Sequence, residues 1–303
     1  MSIREFAVLL IMCAVWGFHF VVIKVAIGEL PPMFYAAIRM TLVAMVMAPF
    51  LRWHAAMMTR VIAAAFCLGA LNYALMFNGL GLATASGAAL AMELYVPFAT
   101  ILSVIFLGET IGWRRILGIA LAFIGVAVIA VGHEHESGAS AAFGIGIGMV
   151  VIGAFVEAVG AIFIKKVDGF KPFQLLAWFS LVGAVSLWML TFAIETGQQQ
   201  AWADADKTLI ISAIIYSAIG GSIIGHGSFY WLLQRLPLSV VAPSTLLVTI
   251  FAIMSGILFL GDPFGPRLII GALLAFAGVG LILLRNATKA DNKKAIVSEE
   301  IAP

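Results

Sequence analysis

Ten apolar runs organise the chain, each separated from the next by a short polar, glycine- or proline-containing stretch. They occupy 5–27, 33–51, 61–83, 86–107 and 113–132, then 143–164, 173–195, 208–233, 238–260 and 267–285. A helix needs about 20 mainly apolar residues to cross about 30 Å of hydrocarbon, and each run supplies roughly that number. Only helices or closed barrels satisfy every backbone group in lipid, and these runs are too long and too uniform to be barrel strands. The pattern predicts an all-α integral membrane protein of ten transmembrane helices. Its expected divisions are a five-helix repeat at 1–137, a second and inverted five-helix repeat at 138–285, and a disordered cytoplasmic tail at 286–303.

Composition agrees with this reading. Hydrophobic residues make up 63% of the chain and charged residues 11%, against about 25% charged in soluble domains. The net charge of +2 and the lack of a basic stripe exclude a nucleic-acid partner. Cys13 and Cys67 lie inside apolar runs, which suits packing rather than a disulfide framework. The first run exceeds the roughly 7–15 apolar residues of a signal peptide and carries Trp16, His19 and Lys24, so it reads as a retained helix.

The few charges set an expected orientation. With the N-terminus inside, thirteen Lys and Arg residues fall on the inner side, while only Lys207 and Arg267 fall outside. Cytoplasmic loops carry such an excess, so both termini are expected in the cytoplasm.

The fifth and tenth runs repeat one another. L-G-E-T-I-G-W-R-R-I-L-G-I-A-L-A-F-I-G-V from Leu107 matches L-G-D-P-F-G-P-R-L-I-I-G-A-L-L-A-F-A-G-V from Leu260. Glu109 thereby matches Asp262, Arg114 matches Arg267, and Gly118 and Gly125 match Gly271 and Gly278. Lys24 followed by Pro31 is echoed by Lys165 followed by Pro172. Five helices per half is an odd number, so the second copy is inverted. That is the architecture of many secondary transporters, whose substrate sites lie near the midplane between halves.

Ionisable residues inside such spans are costly, about 2.5–3.5 kcal/mol at the centre, and are therefore functional candidates. Glu157, Glu93, His19 and His226 are candidates for proton coupling; each could instead be a hydrogen-bonded packing residue. The ordinary pKa of histidine, near 6.5, suits a proton carrier. Arg39 could hold a carboxylate substrate or pair with Glu93, because guanidinium geometry favours carboxylates. Asn72, Tyr73 and Asn78 form a polar stripe on the third span, and His226, Tyr230 and Trp231 mark the eighth. Trp16, Tyr95 and Trp178 complete an aromatic set able to stack on a flat ring. Pro97 and Pro243, in the fourth and ninth spans, are expected bending points. His133-Glu134-His135-Glu136 could bind metal weakly but reads better as a solvated connector, so no metal site is expected. Gly144 with Gly148 and Gly221 with Gly225 read as close-packing contacts.

These residues bring a family into view. V-W-G-F-H-F-V-V-I-K-V-A from Val15 and P-P-M-F-Y-A-A-I-R-M from Pro31 carry the resemblance. So do L-G-E from Leu107, the G-x-x-L-x-F-x-G-V ending of each half, and L-S-V-V-A-P-S-T-L-L-V from Leu238. The chain resembles the EamA-type transporters of the drug/metabolite transporter superfamily over essentially its whole length, and is especially similar to their bacterial amino-acid metabolite exporter branch. The resemblance implies a central cavity, a multi-pass location in the bacterial inner membrane, and export of small amino-acid-like metabolites in exchange for protons. It implies cavity positions at Trp16, His19, Asn72, Tyr73, Glu93, Glu157, His226, Tyr230 and Ser244. A small-molecule substrate, the bilayer and protons are the expected partners of a monomer or homodimer without cofactors. Import of a vitamin such as riboflavin by the same fold is the alternative. An intramembrane enzyme is disfavoured, since the chain has no H-E-x-x-H, nucleophile elbow or P-loop.

Overall fold

The computed structural model describes the backbone at 2–131, 139–233, 235–236 and 244–300, with side chains except at 139–140, 230, 233, 245 and 284–300. Among the described residues, nine helices are long and apolar enough to cross a membrane. They are α1 (Ile3–Glu29), α2 (Pro32–Phe50), α3 (Met58–Leu82), α4 (Ala85–Leu107), α5 (Trp113–Val131), α6 (Ala141–Ile164), α7 (Pro172–Ile194), α8 (Lys207–Phe229) and α10 (Pro266–Leu283). A tenth apolar helix, α9 (Leu246–Leu260), is shorter. The protein is thus an all-α, multi-pass membrane protein. The 133–136 loop, the junction at 137–138 and the bend expected at Pro243 lie outside the described residues.

Local chemistry accounts for many helix ends. The Ser2 hydroxyl accepts from Glu5 N–H while the Glu5 side chain returns to Ser2 N–H, closing a capping box on α1. Proline opens α2, α7 and α10, where its missing N–H and fixed φ carry no penalty. Gly108 and Gly261, at φ 67° and 69°, end α4 and α9 in the left-handed conformation that glycine adopts without steric cost. Asp206 caps α8 by accepting from the N–H groups of Thr208 and Leu209. Glu195, at the end of α7, reaches across to cap α2, accepting from Met33 N–H at 2.8 Å and Phe34 N–H at 3.0 Å. Glu195→Ala is expected to lower stability by about 1 kcal/mol, as for other lost N-terminal caps, which thermal unfolding in detergent would measure.

Three features depart from the expected pattern. The backbone of the last helix continues to Glu300, where the sequence reading expects a disordered tail from 286. No glycine or proline interrupts 281–302, and Ala, Lys and Glu favour helix there. The polar break between α7 and α8 contains a short helix, Gln198–Asp204, whose Trp202 meets Phe34 edge-on at 6.4 Å. The third feature is π-helix: Phe66–Leu71 inside α3 and Tyr216–Ile224 inside α8, which are repeat mates, and Gly256–Leu260 at the end of α9.

The two halves meet along a glycine seam between α5 and α10. A Cβ added at Gly118 would lie 2.7 Å from Gly278 O, and one at Gly278 would lie 2.5 Å from Gly118 O. Gly125 and Gly271 face each other in the same way, each within 2.8 Å of the other's carbonyl oxygen. Exchanging each residue for its repeat mate turns one contact into the other, as a two-fold relation between the halves requires. Further close approaches join Gly79 of α3 to Gly146 of α6, and Gly69 of α3 to Gly183 of α7. Small residues let backbones come this close in a membrane, where packing rather than water exclusion drives association.

The ends of the bundle are named here by Lys24, near the end of α1, and Lys165, just past α6. At the Lys165 end, Lys165 Nζ lies 3.4 Å from Glu109 Oε1, with both side chains about half exposed. Burial pushes the Glu109 carboxyl up, but the Ser103 hydroxyl and the Lys165 ammonium together outweigh it and leave it below its ordinary 4.5. This depressed value makes the contact complete above the ordinary carboxylate range, with loss as pH falls through the lowered value.

Candidate functional site

A cavity of about 500 Å³ opens between the halves, lined by residues of eight helices. Towards the Lys165 end its lining reaches Leu176 of α7 and Phe229 of α8, whose helical backbone continues to Leu233; towards the Lys24 end it reaches Ile23 of α1 and Phe77 of α3.

α1 supplies Trp16 and His19 to the wall. Trp16 Nε1 donates to Gly221 O at 2.8 Å, and its ring meets His226 edge-on at 5.3 Å. The π segment of α8 explains these contacts. Its irregular turns present carbonyls that side chains then satisfy: Gly221 O takes Trp16, Ser217 O takes Arg39, and Ser222 O contacts His226 Nδ1 at 3.0 Å. Gly221 itself leaves room for the His19 ring, which a Cβ there would meet at 3.0 Å. His19 Nε2 is buried and without a hydrogen-bond partner.

Across the cavity, α3 presents Asn72 and Tyr73 just beyond its own π segment. Asn72 Nδ2 donates to Gly153 O at 3.0 Å and to Glu157 Oε2 at 3.3 Å, so it orients the cavity carboxylate of α6. Tyr73 lies beneath Arg39, whose guanidinium carbon is 4.8 Å from the ring centroid. Arg39 is 1% exposed and forms no ion pair with a described residue. Its Nε donates to Ser217 O and one terminal nitrogen donates to Ser222 Oγ at 2.9 Å, while the other has no partner. Arg39 thus stands one side chain behind the wall, held by Tyr73 and Ser222, both of which line the cavity. A positive charge so placed, without a buried counter-ion among the described residues, suits a site that receives an anion.

The structure brings together Trp16, His19, Asn72, Tyr73, Tyr95, Glu157 and His226 on one cavity. Other candidates lie elsewhere. Glu93 accepts a hydrogen bond from Thr249 of α9 rather than pairing with Arg39, at a turn where α4 is interrupted between Met92 and Tyr95. Pro97 follows this interruption by one turn and has no N–H for the Glu93 carbonyl, which instead accepts from Val96 N–H. Asn78 is consumed by its own helix through Ala74 O. Trp178 donates to Arg52 O at the Lys165 end, and Trp231 lies beneath Arg235, as belongs to aromatic residues at a membrane interface. Ser244 is buried beside Cys13, whose thiol donates to its carbonyl. The Tyr230 side chain lies outside the described residues.

The cavity also uses residues that the sequence reading passes over. Phe20, Met40, Phe77, Phe179 and Phe229 line it, but in an apolar helix nothing separates them from residues that face lipid. Ser180 and Ser222 carry a weak signal, as hydroxyls in otherwise apolar segments.

A two-fold pair of five-helix halves around an aromatic, partly charged cavity defines the class of membrane carriers built from inverted repeats. The chain belongs to the EamA-like transporter family, whose model matches residues 4–131 and 144–284, one match per half. It is 28% identical over 286 residues to a protein of Salmonella typhimurium named "Probable amino-acid metabolite efflux pump", covering 92% of this chain and 94% of that one. An Escherichia coli protein of the same name is 27% identical over the same shares. A solved crystal structure superposes with a TM-score of 0.65 over 96% of this chain and 99% of its own, at 15% identity, which shows a shared fold. The protein is accordingly a transporter and not an enzyme.

Proposed function

We propose that this transporter exports amino acids or their small derivatives across a bacterial inner membrane by alternating access, in exchange for protons. The carrying observation is the cavity's charge layout. Glu157 stands on one wall, held by Asn72, and Arg39 stands behind Tyr73, the residue next to Asn72. A carboxylate and a guanidinium on neighbouring parts of one apolar, aromatic cavity complement the ammonium and carboxylate of an amino acid, with Trp16, Phe20 and Phe179 left for its side chain. Glu157 and His19 are the proton carriers in this reading, because both line the cavity and neither is locked in an ion pair with a described residue. Both termini lie on the cytoplasmic side in this reading.

Counterflow in proteoliposomes tests the substrate class, with labelled cysteine, O-acetylserine, threonine, aromatic amino acids and riboflavin as the panel. Saturable exchange of an amino acid is the expected result. The aromatic wall would also accept a flat ring, and exchange of riboflavin alone would replace this reading with vitamin import.

A further inference from the structure

The two ends of the bundle carry matching charges in unlike states. Glu109 and Asp262 are repeat mates and share one backbone bond: each N–H donates to the carbonyl six residues earlier, of Ser103 and of Gly256, although the turn before Glu109 is α-helix and that before Asp262 is π-helix. Their side chains diverge. Glu109 turns back to its own helix, accepting from Ser103 Oγ at 3.0 Å, and stays at the surface beside Lys165. Asp262 is 9% exposed and crosses between the halves to the start of α4, where its Oδ2 accepts from Ser86 N–H at 2.7 Å and Ser86 Oγ at 2.6 Å.

Gly256 makes that crossing possible. A Cβ there would lie 2.4 Å from Asp262 Oδ2 and 2.8 Å from Ser86 Oγ, so even a methyl group would occupy the space the carboxylate fills. Lys24 secures the other side of the same α3–α4 turn. Its ammonium donates to the carbonyls of Leu80, Gly81 and Ala83 at 2.7–2.9 Å, and it is attracted electrostatically to Asp262. The turn from Leu80 to Ser86 is thus pinned by a base from the first half and an acid from the second, at the Lys24 end of the bundle.

We propose that Lys24, Ser86 and Asp262 form the gate of the transporter at the Lys24 end, and that Asp262 must leave Ser86 before the cavity opens to that face. This rests on the alternating-access reading above. Gly256 is the positioning residue of the gate, and Ser103, its mate, keeps Glu109 from forming a second one at the opposite end. A buried carboxylate holding two donors across the halves resists separation strongly, since parting them leaves polar groups unpaired. The gate therefore holds the Lys24 end of the bundle together until Asp262 lets go of Ser86.

Sided labelling tests this. Met92, on the cavity wall, is replaced by cysteine in a transport-competent Cys13→Ala/Cys67→Ala background. A membrane-impermeant maleimide is then applied to right-side-out and inside-out vesicles. The parent is expected to label mainly from the Lys165-end face, which is the face holding the N-terminus. Asp262→Ala and Gly256→Ala are each expected to raise labelling from the opposite face about tenfold, as the minor state gains population, and Ser86→Ala to raise it less because its N–H remains. Gly256→Ala and Ser86→Ala provide the readout should Asp262→Ala fail to fold. One-sided labelling in the parent that all three variants leave unchanged would overturn the gate while leaving alternating access in place. Equal labelling of the parent from both faces would overturn alternating access and the gate with it.

Discussion

Glu157→Gln is expected to cut gradient-driven transport by at least about tenfold, equivalent to about 1.4 kcal/mol, while substrate counterflow continues. Glutamine keeps an oxygen for the Asn72 amide, so the hydrogen bond between α3 and α6 survives. What is lost is the ability to take up and release a proton within the cavity. Exchange of labelled for unlabelled substrate needs no net proton movement, and so separates coupling from binding. Glu93→Gln provides the contrast, since Glu93 bonds Thr249 and is not part of the cavity wall. Its neutralisation should alter stability more than the pH dependence of transport. Undiminished gradient-driven transport by Glu157→Gln would remove Glu157 from the coupling scheme and leave His19 as the carrier to test.

Gly125→Leu should have the largest effect on stability. A Cβ at this position already falls 2.6 Å from both Gly271 O and Ala275 N, which are backbone atoms that no rotamer change can move. The leucine must separate α5 from α10, at about 3 kcal/mol or more, the upper range for overpacking. Even Gly125→Ala should lower the thermal midpoint in detergent. Gly28→Ala is the control, because a Cβ there meets nothing within 4 Å. Equal midpoints for Gly125→Leu and the parent would show that the seam is not tightly packed in the membrane.

The transmembrane helices were legible because the bilayer imposes a length, and proline and glycine mark its edges. The duplication was legible because α5 and α10 keep Gly118, Gly125, Gly271 and Gly278 in register, and the structure shows what that register does. The cavity was only partly legible. His19, Asn72 and Glu157 stand out since polar atoms in lipid demand a reason. Phe20, Phe179 and Phe229 do not, because an apolar side chain suits a cavity wall and a lipid-facing surface equally well. Trp178 and Trp231 look like cavity residues by type, yet their depth places them at the interface with Arg52 and Arg235. The π segments of α3 and α8 left no sequence signal at all. They arise where side chains of other helices, such as Trp16 and Arg39, supply the bonds that the regular ladder gives up.

The self-matching seam has a consequence for how such a chain could be assembled from parts. Its contacts are isologous: Gly118 meets Gly278, the mate of Gly125, while Gly125 meets Gly271, the mate of Gly118, as across the axis of a symmetric dimer. Expressed as separate polypeptides, the halves could rebuild this interface only by inserting with opposite orientations. Joining the halves in one chain fixes, within one molecule, an antiparallel pairing that two free halves would have to find by chance insertion.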